Sequence, residues 1–379
     1  MKSFVIKGAR VFTAERELKE LDVKVEGGKI AAIGENLSAD ETVDAKGKIL
    51  SPGFIDLHQH GMLRVDCVED SDRPISTMSA ALPKYGVTGF LPTVMTAPLE
   101  LMGSITRRFA RGIPQEGAKA LGLYMEGPHL NPIYKGAQEE EYMVPPSMEN
   151  WETMNGGHPE CIKVLAMDPT REGALEVARN LKGKVVLTCA HTPANWQQAR
   201  DAFEAGFTHV THLFNAMKPL HHRDPGLLGA ALVDESITCE LIADLIHLHP
   251  DILRLAVKMK GADRICLITD AMMAAGLEDG DFTLGGQDVF VRGGAARLAD
   301  GTLAGSTLTL NKAVYNMVKK VGLPLTTILP MVTSTPAREA GCGDIRGTIA
   351  PGYEADLVLL DDELTVCSTW VGGELKYQK

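Results

Sequence analysis

Eight short apolar runs, alternating with helical stretches, constrain this chain more than any other feature. The runs fall at 53–57, 88–94, 120–125, 161–167, 184–190, 208–211, 239–243 and 264–269. At 174–181, 196–203 and 252–259, between the later runs, apolar residues recur at helical spacing. This alternation predicts parallel βα units. Eight such units close into a (β/α)8 TIM-like barrel, and 379 residues leave room for an accessory domain. The two ends of the chain supply it. Residues 1–50 hold β-rich segments broken by turns, such as Phe4-Val5-Ile6 and Leu21 to Val25, with Gly27-Gly28 as a turn. Ala355 to Leu360 and Val366 to Val371 return to the same texture. Neither end carries enough apolar residues to fold alone. One small β-sandwich domain is expected from 1–51 and 346–379, beside a barrel at 52–345.

Polar residues at the ends of these runs carry the chemistry. His58 and His60 close the first run, one residue apart. Alternate side chains on a strand share a face, so the two imidazoles project together, as ligands of one metal ion can. By itself this pair is a weak signal. Glu126 follows the third run, His191 the fifth, His212 the sixth and Asp270 the eighth. All six sit at carboxyl ends of barrel strands, the face on which barrel active sites are built. Such a set can hold one or two divalent ions of zinc, iron, manganese or cobalt. A bound divalent ion lowers the pKa of water to about 7. A carboxylate left off the metal can take the water's proton and later deliver it to a leaving group, a role that suits Asp270. Metal-assisted hydrolysis of a carbonyl or phosphoryl bond follows.

A net charge of −11 argues against a nucleic-acid or anionic-membrane partner. No apolar run approaches the roughly 20 residues of a membrane span. Seven cysteines without a Cys-x-x-Cys pair suggest reduced thiols and a cytoplasmic protein. Cys189 and Cys266 read as core residues.

Pro52-Gly-Phe-Ile-Asp-Leu-His-Gln-His60-Gly61 resembles the first-strand signature of the amidohydrolase superfamily. Met125 to Asn131, Lys135 to Gln138, Ala190-His-Thr192, Thr211 to Met217, Arg223 to Gly226, Ile268 to Met272 and Leu303 to Ser306 narrow the resemblance. Together they are similar to the N-acetylglucosamine-6-phosphate deacetylase family, and Gly352 to Asp361 fits its flanking β-domain. The resemblance implies hydrolysis of the N-acetyl group of N-acetylglucosamine 6-phosphate to glucosamine 6-phosphate and acetate, in amino-sugar catabolism and recycling. It implies that Glu126, His191 and His212 hold one metal, that His58 and His60 complete a second site bridged by Glu126, and that Asp270 is general base and acid. Zinc or iron is the expected metal.

The same resemblance places Ala137, Gln138, Asn215, Ala216, Leu303, Ala304 and Gly305 around the sugar, and Arg223 and His247 on its phosphate. It has Arg223 reach into a neighbouring subunit, which implies a homodimer or larger homo-oligomer. Without the resemblance, Arg223 reads as a surface charge. His129 reads as pocket-lining or structural, and His158 and His209 as structural. His249 reads as a helix cap before Pro250. Some family members carry His where this chain has Gln138, and the family usually has Gly where this chain has Leu245.

The galactosamine 6-phosphate isomer is the nearest rival substrate. A dihydroorotase-type hydrolase needs a lysine at the end of strand four. That end here reads Ala166-Met167-Asp168-Pro169, and Lys163 lies at the opposite face. A non-catalytic sugar-binding barrel remains as a reading from another class, which metal content distinguishes.

Overall fold

The computed structural model describes residues 3–379. Its centre is a barrel of eight parallel strands: β1 (Phe54–Gln59), β2 (Val87–Met95), β3 (Leu123–His129), β4 (Ile162–Met167), β5 (Val186–Cys189), β6 (Phe207–Val210), β7 (Thr238–Ile242) and β8 (Ile265–Ile268). Each of the eight expected runs is a strand. Seven helices separate them, namely α1 (Arg73–Ala81), α2 (Leu99–Ala110), α3 (Met148–Asn155), α4 (Ala174–Leu181), α5 (Trp196–Ala205), α6 (Gly226–Val233) and α7 (Pro250–Lys260), and α8 (Leu310–Tyr315) follows the last strand. β2 is buried at all nine positions, as a parallel strand covered on both faces must be.

Local chemistry sets the helix ends. Asn195 and Gln198 form a reciprocal capping box at the start of α5. His249 caps α7, its side chain accepting the Asp251 N–H, ahead of Pro250. Gly53 starts the barrel because a Cβ there would stand 2.1 Å from Thr88 Oγ1.

β1 and β8 share no regular ladder. Asp56 joins them: its carboxylate accepts the Thr269 hydroxyl at 2.6 Å and the Thr269 and His58 N–H groups at 3.2 and 3.3 Å. Beyond it, Asp270 N–H donates to His58 O, and His60 N–H to Ala271 O. Burial pushes the Asp56 carboxyl up to about 6, against the pull of those donors.

Both chain ends build a second sheet of eight strands. Phe4–Phe12 pairs antiparallel with Leu18–Glu26, and parallel with both Glu41–Asp44 and Ile49–Pro52. Ile49–Pro52 in turn pairs with Leu357–Leu360, so the two ends meet in the middle of the sheet. The sheet rolls over its own core, in which Ile6, Val23, Ile30, Leu50, Leu357 and Trp370 pack together. Backbone bonds tie one end strand to the segment leading into Leu357–Leu360, with Ile30 N–H donating to Tyr353 O and Ala355 N–H to Gly28 O.

One element has no counterpart in the eight-run reading. Gly280–Leu284, Gln287–Arg292 and Ala295–Arg297 form a small antiparallel sheet after β8. Phe282, Leu284, Val289 and Ala296 pack there against Met95, Ala137 and Met272 at the mouth of the barrel.

Candidate metal centre and substrate cavity

The six residues at the strand ends converge. His58 and His60 bring their Nε2 atoms to 3.2 Å, as their shared strand face requires. His191 and His212, from the ends of β5 and β6, also bring Nε2 to 3.2 Å. Glu126 on β3 lies between the pairs. Its Oε1 is 3.3 Å from His191 Nε2 and 3.0 Å from His212 Nε2, and its Oε2 is 3.2 Å from His60 Nε2. Asp270 Oδ1 completes the cluster, 3.2 Å from His60 Nε2 and 3.6 Å from His58 Nε2. All six are buried.

The other ring nitrogens set the charge of this space. His60 Nδ1 faces Thr93 O at 3.1 Å and His191 Nδ1 faces Tyr134 O at 2.8 Å. A carbonyl oxygen only accepts, so each Nδ1 carries the proton and each Nε2 presents a lone pair. His58 Nδ1 faces the Glu240 carboxylate at 3.0 Å, with the same result. Lone pairs thus crowd together with the Glu126 and Asp270 carboxylates. Such a set suits a cation. Two groups, His58-His60-Glu126 and Glu126-His191-His212, have ligand atoms close enough to hold a metal ion, and they share Glu126. Protons and a cation compete for these lone pairs. Burial disfavours charge on His60, yet Asp270 and Glu126 raise its pKa to about 9. Burial would raise Glu126 and Asp270, but the surrounding imidazoles hold Glu126 well below the carboxylate range and bring Asp270 below its ordinary value.

Above the cluster opens a cavity of about 340 Å³. Its walls include His60, Glu126, His191, His212 and Asp270, and also Ala137, Gln138, Asn215, Ala216, His247, Leu303 and Gly305. Ala304 is turned away. It is buried in the apolar core of the inserted sheet, where its N–H donates to Ala296 O. Arg223 is exposed outside the cavity, its guanidinium 2.7 Å from His222 Nε2. Gln138 is fixed at both ends: its amide oxygen accepts the Thr96 N–H at 2.8 Å and its amide nitrogen donates to Glu126 Oε2 at 2.6 Å. Asp244 aims His247, accepting from Nδ1 at 2.7 Å and from the His247 and Ile246 N–H groups at 2.8 Å.

His129 lies outside the cavity wall, with Nδ1 donating to Val144 O. His209 is buried between Glu240 and Glu339. Sequence reasoning missed Glu240, Asp56 and Asp244, and the wall residues Ile133, Tyr134, Leu284 and Thr302. Glu240 did leave a signal, as a lone carboxylate within the buried strand Thr238–Ile242.

A sequence profile of the amidohydrolase family matches residues 49–376. A protein of Escherichia coli O157:H7 named N-acetylgalactosamine-6-phosphate deacetylase is 38% identical over 376 residues, spanning 98% of each chain. N-acetylglucosamine-6-phosphate deacetylase of Bacillus subtilis (strain 168) is 35% identical over 389 residues, spanning 99% of this chain and 98% of its own. A Mycobacterium smegmatis structure, a mutant N-acetyl-D-glucosamine-6-phosphate deacetylase in complex with N-acetyl-D-glucosamine-6-phosphate, superposes with a TM-score of 0.92 at 30% identity and covers 100% of both chains.

Proposed function

This chain belongs to the amidohydrolase family, and from that premise we propose that it removes the N-acetyl group of N-acetylglucosamine 6-phosphate, giving glucosamine 6-phosphate and acetate. The observation that carries this reading is one cavity holding both the His/Glu/Asp cluster and, on its wall, Asn215, His247 and Gln138. We assign a divalent ion to the cluster, one or two per subunit, with zinc or iron favoured over manganese or cobalt by the nitrogen and oxygen donors. Glu126, His191 and His212 would hold one ion, and His58, His60 and Glu126 the other. Bound there, a divalent ion supplies Lewis acidity, making water a nucleophile near neutral pH.

The protein's own groups supply the rest. Asp270 Oδ1 takes the water proton as the water oxygen adds to the acetyl carbon. The C–N bond then breaks, and Asp270 returns the proton to the departing amine. Asp270 Oδ1 stands 3.2 Å from His60 Nε2, which places the carboxylate beside the ligand set. Gln138, anchored by the Thr96 N–H, holds Glu126 Oε2. Asn215 and His247 bind the sugar and its phosphate. Arg223, exposed and outside its own cavity, is assigned to the phosphate in a neighbouring subunit's site, which makes the working unit a homodimer or larger. Arg223→Ala is then expected to weaken turnover of the phosphorylated sugar while sparing the unphosphorylated one, as steady-state kinetics on both will read. Among the described residues no helix is long and apolar enough to cross a membrane. We assign the protein to the cytoplasm on its seven free cysteines, which suit a reducing compartment.

The second reading is the galactosamine isomer, favoured by 38% identity to the Escherichia coli protein named for it. Acetate release tests both. The protein is assayed on N-acetylglucosamine 6-phosphate, N-acetylgalactosamine 6-phosphate and unphosphorylated N-acetylglucosamine, before chelation, after chelation and with metal restored. Metal-dependent turnover highest on the glucosamine phosphate is the expected result. Preference for the galactosamine phosphate moves the assignment to that isomer, and silence on all three overturns it.

A further inference from the structure

Glu240 stands in the middle of β7 with 1% of its surface exposed. A buried carboxylate is costly unless it is paired and hydrogen-bonded. Its partners lie on both sides. Toward the cavity, Oε2 accepts His58 Nδ1–H at 3.0 Å and the main-chain N–H of His212 at 3.2 Å. Away from the cavity, Oε1 is 3.8 Å from His209 Nε2, and His209 Nδ1 is 3.6 Å from Glu339 Oε2. Glu339 is held in turn by the Thr238 hydroxyl at 2.9 Å and by Arg338. A polar column therefore runs through the barrel from the cluster toward Glu339, on the short helix Ser334–Glu339.

The two bonds from Oε2 are the informative ones. His58 belongs to one candidate metal group and His212 to the other. One carboxylate oxygen thus holds a side chain of the first group and the backbone of the second. His212 sits at φ 27°, a conformation that needs external support. Tyr124 restrains His58 from another side, with ring centroids 4.6 Å apart.

We propose that Glu240 is the positioning residue that locks the two halves of the ligand set together, through the His58 imidazole and the His212 main chain. It touches neither substrate nor the reacting atoms. The inference rests on reading the cluster as a metal site.

The test uses metal affinity. Chelated full-length protein is titrated with Zn²⁺ against a chromophoric chelator, for the wild type, Glu240→Gln and Glu339→Gln. Glu240→Gln keeps the shape and removes the charge. It is expected to weaken Zn²⁺ binding by about tenfold or more, the range for lost partners of ligating histidines. The pair Glu240→Gln, His58→Gln should lose less affinity than the two single losses combined, because part of the Glu240 effect passes through the His58 imidazole. Glu339→Gln cuts the column at its far end, without touching either histidine. It is expected to lower the melting temperature and leave Zn²⁺ affinity unchanged. If Glu240→Gln also lowers only the melting temperature, the carboxylate is structural and the proposal is overturned. If the wild type takes up no Zn²⁺, the metal-site reading itself falls, which is a separate outcome. Should Glu240→Gln fail to fold, imidazole ¹⁵N spectra of the wild-type protein decide. His58 protonated at Nδ1 is required, and a ring protonated at Nε2 alone overturns the inference.

Discussion

His191, His212, Ala216 and Asp270 hold φ between 27° and 51°, and Phe214 holds 82°. Residues other than glycine pay about 1–2 kcal/mol for this left-handed region. Here that conformation falls at the strand ends and loop that supply the cavity wall, so the backbone spends stability to aim these side chains inward. Leu245 shows the same constraint from another angle. Its φ is 67°, in the left-handed region, and Asp244 caps the turn it makes toward His247. At Asp270, the change Asp270→Asn keeps the side chain's shape and removes the proton acceptor of the proposed mechanism. Turnover is expected to fall by about 10²–10⁴ with metal content unchanged, as kinetics and metal analysis on one sample will show. His129 allows a pH test away from the cluster. Burial lowers its pKa from 6.5 to about 4, with the Val144 O bond opposing and Arg171 adding to the effect. The unfolded chain therefore gains a proton below pH 6.5 that the folded chain refuses until about pH 4. Stability is lost across that window as pH falls, by at most about 3 kcal/mol. His129→Asn should flatten the melting temperature between those pH values relative to wild type, and an unchanged slope would remove His129 from the account. His58 and His60 were legible because period-two geometry leaves no other arrangement on a strand. Glu240 was not, because a single acid in an apolar strand does not say which imidazole it will meet.

At the scale of elements, the inserted sheet roofs the cavity. Leu284 reaches the wall, and Gln287 Nε2 donates to Ala137 O at 2.6 Å, tying the roof to the loop after β3. Gly285 N–H donates to Asp66 at 3.0 Å and ties it to the region after β1. Gln287→Ala removes one neutral hydrogen bond, worth about 1 kcal/mol. KM is expected to rise about fivefold with kcat nearly unchanged. A fall in kcat alone would show that the roof acts on the chemistry. The eight barrel strands were readable because each is a buried apolar run bounded by turns. The roof carried signals too: Gly285-Gly286 separates alternating Phe282 and Leu284 from Val289 and Val291, and Gly293-Gly294 follows. That alternation describes a hairpin but does not say where it docks. Docking rests on contacts with Met95 and Met272, which are far away in sequence.

Across the whole molecule the two sheets share a core. Phe12, Ile49, Val358, Leu360 and Val366 of the terminal sheet pack into the apolar cluster of the barrel, and the Thr369 hydroxyl donates to Pro83 O at 2.7 Å. Calorimetry is expected to show one cooperative transition, and two resolved transitions would mean that the interface is weaker than its packing. The meeting of both ends in one sheet was legible as matched β texture. The pairing of Ile49–Pro52 with Leu357–Leu360 was not, because register across that separation depends on the barrel between them. The join also imposes an order in time. Ile49–Pro52 leaves the ribosome roughly 300 residues (357 minus 52) ahead of its partner. At about 5–20 residues per second, its open edge waits some 15 to 60 s. Any nascent chain that stalls before Leu357 carries that edge unpaired, a surface that chaperones bind and other strands can capture.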